Sequence, residues 1–212
     1  MPAVSETIVR EFFELHGFLV RQPRKHTLRS SRGADEADLF VVNPRPLPLT
    51  EPLPFLLAPE DLDRLSRGVV VVKGWHTETF SPSRLALQPE IFRFASPAVV
   101  RQAARELGAG GPVCKILVVP SLPQKEELRR QSIAVMQQNG VDAALPFATL
   151  LADLFRRVEI NRDYQKSDLL QVLRILKNYG FLRDPQLELF KPDRKPRQGP
   201  AVTSPSDRPA GA

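Results

Sequence analysis

Hydrophobic residues recur along this chain at helical spacing in some segments and as short unbroken runs in others. Val9, Phe12 and Phe13 lie at helical spacing and Gly17 follows them, so we expect a helix over residues 5–16. Short apolar runs rich in β-branched residues predict strands at residues 18–21, 38–42, 69–75, 115–119 and 141–145. Helical spacing predicts further helices at residues 96–107, 124–139, around 150–155, and at 167–178.

The predicted order of elements is α-β-β-β-α-β-α-β-α-α. Strands that alternate with helices favour parallel crossovers, so we expect an α/β fold with a mixed sheet of about five strands and helices on both faces. The third predicted strand, VVVVKGW, has the unbroken β-branched run typical of a strand buried on both faces. A chain of 212 residues is long enough for one such domain.

Two proline-rich segments stand apart from this pattern. Residues 44–59 (PRPLPLTEPLPFLLAP) lie between two predicted strands, and their leucines and Phe55 favour a loop packed on the surface. From Lys191 onward the chain is rich in Pro, Ser, Gly and charge and has few apolar residues, so burial cannot offset its ordering entropy. We therefore expect a folded domain over residues 1–182 and a disordered, basic, proline-rich tail over residues 183–212.

Composition excludes several classes of protein. Hydrophobic residues make up 42% of the chain and charged residues 25%, which are ordinary globular values. No apolar run approaches the roughly 20 residues of a membrane span, and the acidic N-terminal segment does not look like a secretory signal, so we expect a cytoplasmic protein without membrane contact. The single cysteine, Cys114, opens an apolar run and is expected to be a buried, inert thiol. One cysteine and three histidines also exclude a Cys/His zinc site of usual spacing.

Positive charge is concentrated near the N-terminus. The net charge is +6, with a pI near 9.8, which suits a partner that carries phosphates. Between residues 20 and 32 the chain has no acidic residue, and the basic side chains there are Arg21, Arg24, Lys25, His26, Arg29 and Arg32. This segment is either a solvated loop or a loop that contacts nucleic-acid phosphates.

Three polar residues suggest a metal-dependent phosphodiesterase site: Asp38 at the head of the second strand, Lys73 at the end of the third, and Glu6 early in the first helix. Phosphodiester hydrolysis commonly uses Mg²⁺ held by carboxylates, with a cation nearby to stabilise developing charge. Strand ends suit such residues because the sheet fixes their side chains.

At these residues the chain resembles the PD-(D/E)XK nucleases, in particular their Holliday-junction-resolvase-like branch. The resemblance covers roughly residues 5–155 as an order of elements, and its motifs are ETIVREFFELHGF, ADLFVVNP and VVVVKGW. It implies a restriction-endonuclease-like fold, DNA as partner and often a homodimer. It also implies that Asp38 and Glu6 hold Mg²⁺ and that Lys73 is the lysine of the (D/E)XK strand.

One position departs from the family pattern. The acidic residue of (D/E)XK should stand two before Lys73, and Val71 is there. Residues two apart on a strand face the same way, so this valine removes a direct metal ligand. Either another acid, Glu36 or Glu78, has replaced it, or the chain is a catalytically inactive module that binds DNA or protein.

Each of these residues also has a structural interpretation. An acid such as Glu6 suits the first turn of any helix, and Asp38 could end a turn. In an unrelated α/β protein, Asp38 and Lys73 would form a buried structural pair; a lysine within a valine run needs such a partner. Trp75 could stack on a base, although single tryptophans more often pack at the core, and His76 could contact a phosphate, act as a base or be a surface donor.

Overall fold

The computed structural model describes residues 2–23, 37–108 and 110–181 of the chain. Its strands are β1 (Leu19–Arg21), β2 (Leu39–Val42), β3 (Arg67–Val72), β4 (Cys114–Val119) and β5 (Ala143–Pro146). Its α-helices are α1 (Pro2–Leu15), α2 (Pro82–Ala86), α3 (Pro97–Glu106), α4 (Glu126–Gln138), α5 (Phe147–Arg157) and α6 (Asp168–Asn178). Two 3-10 helices span Pro59–Arg64 and Pro89–Ala95.

The five strands form one mixed sheet in the order β1-β2-β3-β4-β5. The first three strands form an antiparallel meander, while β3, β4 and β5 are parallel. The parallel strands are connected through helices, as parallel pairing requires. The expected α/β class, with a mixed five-stranded sheet flanked by helices, is therefore confirmed.

Each face of the sheet carries its own apolar cluster. On the α1 face, Val70 and Val72 of β3 pack with Phe12 and Phe13 of α1 and with side chains of α5 and α6. On the opposite face, Val69 and Val71 join a cluster with side chains of α2, α3, α4 and the second 3-10 helix. All six residues of β3 are buried, which agrees with the interpretation of its valine run.

The proline-rich segment covers a sheet edge. Leu57 donates its backbone N–H to the carbonyl of Ala144 at 2.9 Å, and Ala144 donates to the carbonyl of Phe55 at 2.6 Å. The side chain of Leu57 is buried in the α1-face cluster. The segment thus packs on the surface as expected and also satisfies backbone groups of β5, an edge strand that would otherwise be open to further pairing.

Two predicted boundaries were wrong in ways that affect the candidate site. Helix α1 begins at Pro2, not at residue 5, so Glu6 lies beyond the first turn and helix-dipole stabilisation explains it poorly. Strand β3 ends at Val72, three residues before the predicted end, and a turn follows in which the backbone N–H of Glu78 donates to the carbonyl of Trp75 at 2.8 Å. The described helices include none that is long and apolar enough to cross a bilayer. The predicted tail lies outside the described residues.

Candidate functional site at the C-terminal end of β3

Asp38 lies at the C-terminal end of β3. Leu39 pairs with Val70, which places Asp38 opposite Val71. Its backbone N–H donates to the carbonyl of Val70 at 3.0 Å, and its Oδ2 accepts a hydrogen bond from the N–H of Val72 at 2.7 Å. One carboxylate oxygen of Asp38 is therefore engaged by the backbone of β3.

The beginning of α1 covers the same end of the sheet. Glu6 is only 6% exposed, and its Oε2 accepts a hydrogen bond from the amide nitrogen of Gln22 at 2.7 Å. Gln22 directly follows β1, whose C-terminal end lies beside the start of β2. The neighbouring Ser5 lies against Gly74, just beyond β3. The structure thus brings Glu6 to the sheet end where Asp38 lies.

Lys73 follows β3 directly, and its backbone N–H donates to the carbonyl of Val118 at 3.1 Å. Its ammonium nitrogen lies 5.9 Å from the centroid of the Trp75 ring, within reach of a cation–π interaction. Trp75 in turn packs against Phe80, whose ring centroid is 5.9 Å away and which belongs to the cluster opposite α1. Lys73 and Trp75 therefore lie at the end of the sheet on the side opposite α1.

His76 lies on the α1 side of the same turn. Its Nε2 is 3.0 Å from the hydroxyl oxygen of Ser5, and its ring makes an edge contact with Phe147, with centroids 4.5 Å apart. Residues 73–78 consequently wrap around the sheet end, with Trp75 on one side and His76 on the other.

The side chain at position 71 does not face α1. Val71 is 2% exposed and packs in the cluster on the opposite face. An acid substituted at this position would be separated by the sheet from the helix that carries Glu6. The family's three-carboxylate arrangement is therefore not reproduced by Asp38, Glu6 and position 71.

Candidate Mg²⁺ ligands are sparse around Asp38 among the described residues. Asp38 already accepts a hydrogen bond on one oxygen, and Val71 has no ligand atom. Of the two candidate replacement acids, Glu78 is paired with Arg84 at 3.2 Å, and Glu36 lies outside the described residues. Within residues 2–23, 37–108 and 110–181, no three Asp, Glu, His or Cys side chains gather closely enough to hold a metal ion.

An open groove of about 730 Å³ lies beside the turn that follows β3; we call it the β3 groove. It is lined by Val4, Ser5, Gly74, Trp75, His76, Thr77, Glu78, Arg84 and Gln88. Gly74 is required at its base, because a Cβ there would lie 2.5 Å from the hydroxyl oxygen of Ser5. The missing side chain lets the end of β3 approach the start of α1.

One wall of the β3 groove contains two buried polar atoms that lack a hydrogen-bond partner in the described residues. The Nε of Arg84 and the Oε1 of Gln88 are buried, and neither has a hydrogen-bond partner in the described part of the chain. The terminal nitrogen of Arg84 binds Glu78, and Ser121 donates its hydroxyl to the backbone carbonyl of Glu78. Arg84 and Gln88 were not predicted as site residues, because they lie in and just after α2, a helix of only five residues whose Ser81–Pro82 start was not recognised.

The predicted nucleic-acid-binding residues are only partly described. Arg21 ends β1 and pairs with Glu106 of α3 at 3.2 Å while its side chain stays 62% exposed. His76 is exposed apart from its contacts with Ser5 and Phe147. Arg24, Lys25, His26, Arg29 and Arg32 lie outside the described residues.

Another buried polar contact joins His16, just after α1, to Asp153 of α5. It lies at the opposite end of α1 from the candidate site. His16 Nε2 lies 2.7 Å from Asp153 Oδ2, and the Nε of Arg157 donates to the same oxygen at 3.0 Å. Burial lowers the pKa of His16 below its usual value, although the hydrogen bond to Asp153 opposes this shift. Nothing local in the sequence signals a pair of residues so far apart in the chain.

Comparisons with protein-family models, curated protein sequences and solved structures return no significant match. The arguments for function therefore come from the residues and geometry of this chain.

Proposed function

We propose that this protein binds nucleic acid at the C-terminal end of β3, on a fold of the restriction-endonuclease-like type. The observation that supports the proposal is that Asp38, Lys73 and Glu6, which are distant in sequence, all lie at one end of the sheet, with Glu6 on the α1 side and Lys73 beside Trp75 on the opposite side. The antiparallel meander followed by parallel strands, with helices on both faces, is compatible with that fold.

Charge and aromatic character also support nucleic acid as the partner. The chain has a net charge of +6, and the basic segment that starts at Arg21 follows β1, whose C-terminal end lies at this end of the sheet. Lys73 and the exposed Trp75 provide a cation beside an aromatic ring, a combination that nucleic-acid-binding proteins use for phosphates and bases.

Binding without hydrolysis is the form of this function that the described residues favour. Hydrolysis with Mg²⁺ would need carboxylates that converge on one ion, and Val71 is buried on the face away from Glu6. We therefore derive no metal-dependent step and treat the domain as a nuclease-type fold used for binding.

The test is a fluorescence-anisotropy titration of labelled single-stranded, duplex and four-way-junction DNA at two salt concentrations, run beside a cleavage assay with Mg²⁺ or Mn²⁺. Lys73→Met keeps a side chain of similar length and removes the charge. Asp38→Asn keeps an oxygen that can accept from the N–H of Val72. Lys166→Met is the matched control, because Lys166 lies beside Glu14 and Leu15 at the other end of α1.

We expect salt-sensitive binding and no cleavage. Lys73→Met should weaken binding about tenfold and reduce the slope of log K against log salt by about one, the effect of one lost phosphate contact. Lys166→Met should change neither quantity. Absence of salt-sensitive binding to every substrate would refute the proposed function. Metal-dependent cleavage lost in Asp38→Asn would show instead an active nuclease with a different ligand set.

A further inference from the structure

The geometry points to an unpaired nucleobase as the occupant of the β3 groove, and hence to single-stranded nucleic acid as the preferred ligand. This inference rests on the proposed nucleic-acid binding and specifies its substrate class. The groove volume of about 730 Å³ is in the range of small-molecule sites and suits one nucleotide with part of its neighbour.

Trp75 provides a stacking surface. Its side chain is 37% exposed at the groove although it packs against Phe80 on one side. An exposed indole beside a buried aromatic ring is held in orientation, and a base that stacks on it buries apolar surface on both rings. Lys73, with its ammonium 5.9 Å from the ring centroid, lies where it can meet the phosphate of the stacked nucleotide.

Arg84 and Gln88 provide a donor and an acceptor for a base edge. The buried Nε of Arg84 and the buried Oε1 of Gln88 lack partners in the described chain, which costs free energy in the unbound protein. Both residues line the groove, so a ligand there would lie next to these two side chains. The Watson–Crick edge of a nucleobase offers hydrogen-bond donors and acceptors together, and it is accessible only when the base is unpaired.

The side of the groove formed by α1 is rigid and polar. The hydroxyl of Ser5 is hydrogen-bonded to His76, the ring of His76 rests on Phe147, and Gly74 lets these groups approach β3. Glu78, the acidic side chain in the groove, is paired with Arg84 and so does not present an isolated negative charge. Duplex DNA keeps its base faces stacked and its pairing edges occupied, so it cannot use this arrangement.

The test uses the only tryptophan of the chain as its reporter. Unmodified protein is titrated with a mixed-sequence single-stranded dodecamer and with the same sequence closed as a hairpin duplex. Stacking on Trp75 should quench its fluorescence with the single strand, at concentrations where anisotropy shows binding, and the hairpin stem should bind more weakly and quench less. Because the native protein is measured, misfolding of a variant does not affect this result.

Two variants assign the effect to the groove. Trp75→Leu should weaken single-strand binding about tenfold, the effect of one lost stacking contact, and weaken hairpin binding much less. Tyr179→Leu is the control, because Tyr179 is 72% exposed and is not part of the groove lining. Binding of the single strand without quenching, or equal binding of single strand and hairpin, would overturn this inference while the proposed function stands. Failure to bind either nucleic acid would overturn the proposed function itself.

Discussion

The carboxylate of Asp38 accepts a hydrogen bond from the backbone amide of Val72 at 2.7 Å, across the pairing of β2 with β3. The residue that the nuclease resemblance implies as a metal ligand therefore also has a structural role. Its side chain accepts a hydrogen bond from the last residue of β3. A substitution such as Asp38→Asn, which removes the charge but keeps the acceptor oxygen, therefore separates the two roles better than Asp38→Ala does.

Asp38→Ala should lower the free energy of unfolding by about 1–3 kcal/mol, because the N–H of Val72 loses its partner in a partly buried place. Asp38→Asn should cost about 1 kcal/mol or less, since the amide oxygen can still accept that hydrogen bond. Urea denaturation of both variants measures the difference. Equal losses in the two variants would show that the hydrogen bond contributes nothing and that only the charge of Asp38 affects stability.

Val71→Glu should destabilise the protein by about 3 kcal/mol or more, because it places a carboxylate among apolar side chains on the face away from α1. The loss should be smaller at pH 5 than at pH 8, since a protonated carboxyl group is cheaper to bury. Val71→Gln serves as the matched control and should show little pH dependence of its own.

The same variant tests whether an acid at position 71 completes a metal site. Where Val71→Glu remains folded, we expect no cleavage of DNA with Mg²⁺ or Mn²⁺, because the sheet separates position 71 from Glu6. Metal-dependent cleavage by this variant would contradict the geometry described for β3.

The buried His16 makes stability depend on pH. Burial lowers its pKa in the folded state below the 6.5 of the unfolded chain, so below about pH 6.5 the unfolded state binds more protons than the folded state. The free energy of unfolding should therefore fall as the pH drops below about 6.5 and should receive no further contribution from His16 above it. Urea denaturation at several pH values between about 5.5 and 8 measures this dependence.

His16→Gln should flatten this pH dependence, because it removes the buried imidazole. A wild-type profile with the opposite slope in this range, or one that His16→Gln does not alter, would be inconsistent with a neutral His16 in the folded protein.

Arg67 at the start of β3 holds the loop that precedes β4. It is 9% exposed and donates three hydrogen bonds, to the carbonyls of Gly108, Gly110 and Gly111. Arg67→Lys should lower the free energy of unfolding by about 2–4 kcal/mol, because an ammonium cannot reproduce the planar fork and carbonyl partners are left unmatched. Arg129→Lys, in an exposed pair on α4, should cost less than about 1 kcal/mol. Similar costs in urea for both variants would show that the three bonds do not stabilise the loop.

The long elements of this fold could be predicted because their signals are local. For α3, the hydroxyl of Ser96 accepts from the N–H of Val99 and Pro97 occupies the first turn, so residues adjacent in sequence define where the helix begins. The thiol of Cys114 was expected to be inert, and burial raises its pKa to about 12. The short elements were not predicted: α2 and both 3-10 helices have too few residues for a hydrophobic period and depend on the core they cover.

The candidate site was predictable only in part. Asp38 and Lys73 could be found because they flank apolar strand runs, whereas Glu6, between Ser5 and Thr7, was found through the nuclease resemblance and its burial has no local signal. The face to which position 71 points was not predictable, because alternation along a strand gives relative directions but does not say which face α1 covers. The hydrogen bond of Ser5 with His76 and the uncompensated atoms of Arg84 and Gln88 arise from tertiary packing across distant segments.

The most direct test of the account is the affinity of wild-type protein and of Lys73→Met for a labelled single-stranded oligonucleotide, measured by anisotropy at low and moderate salt. We predict that the wild type binds with a clear salt dependence and that Lys73→Met binds about tenfold more weakly with a shallower salt slope. If the wild type does not bind, or if Lys73→Met and Lys166→Met bind equally well, the end of β3 is not a nucleic-acid site.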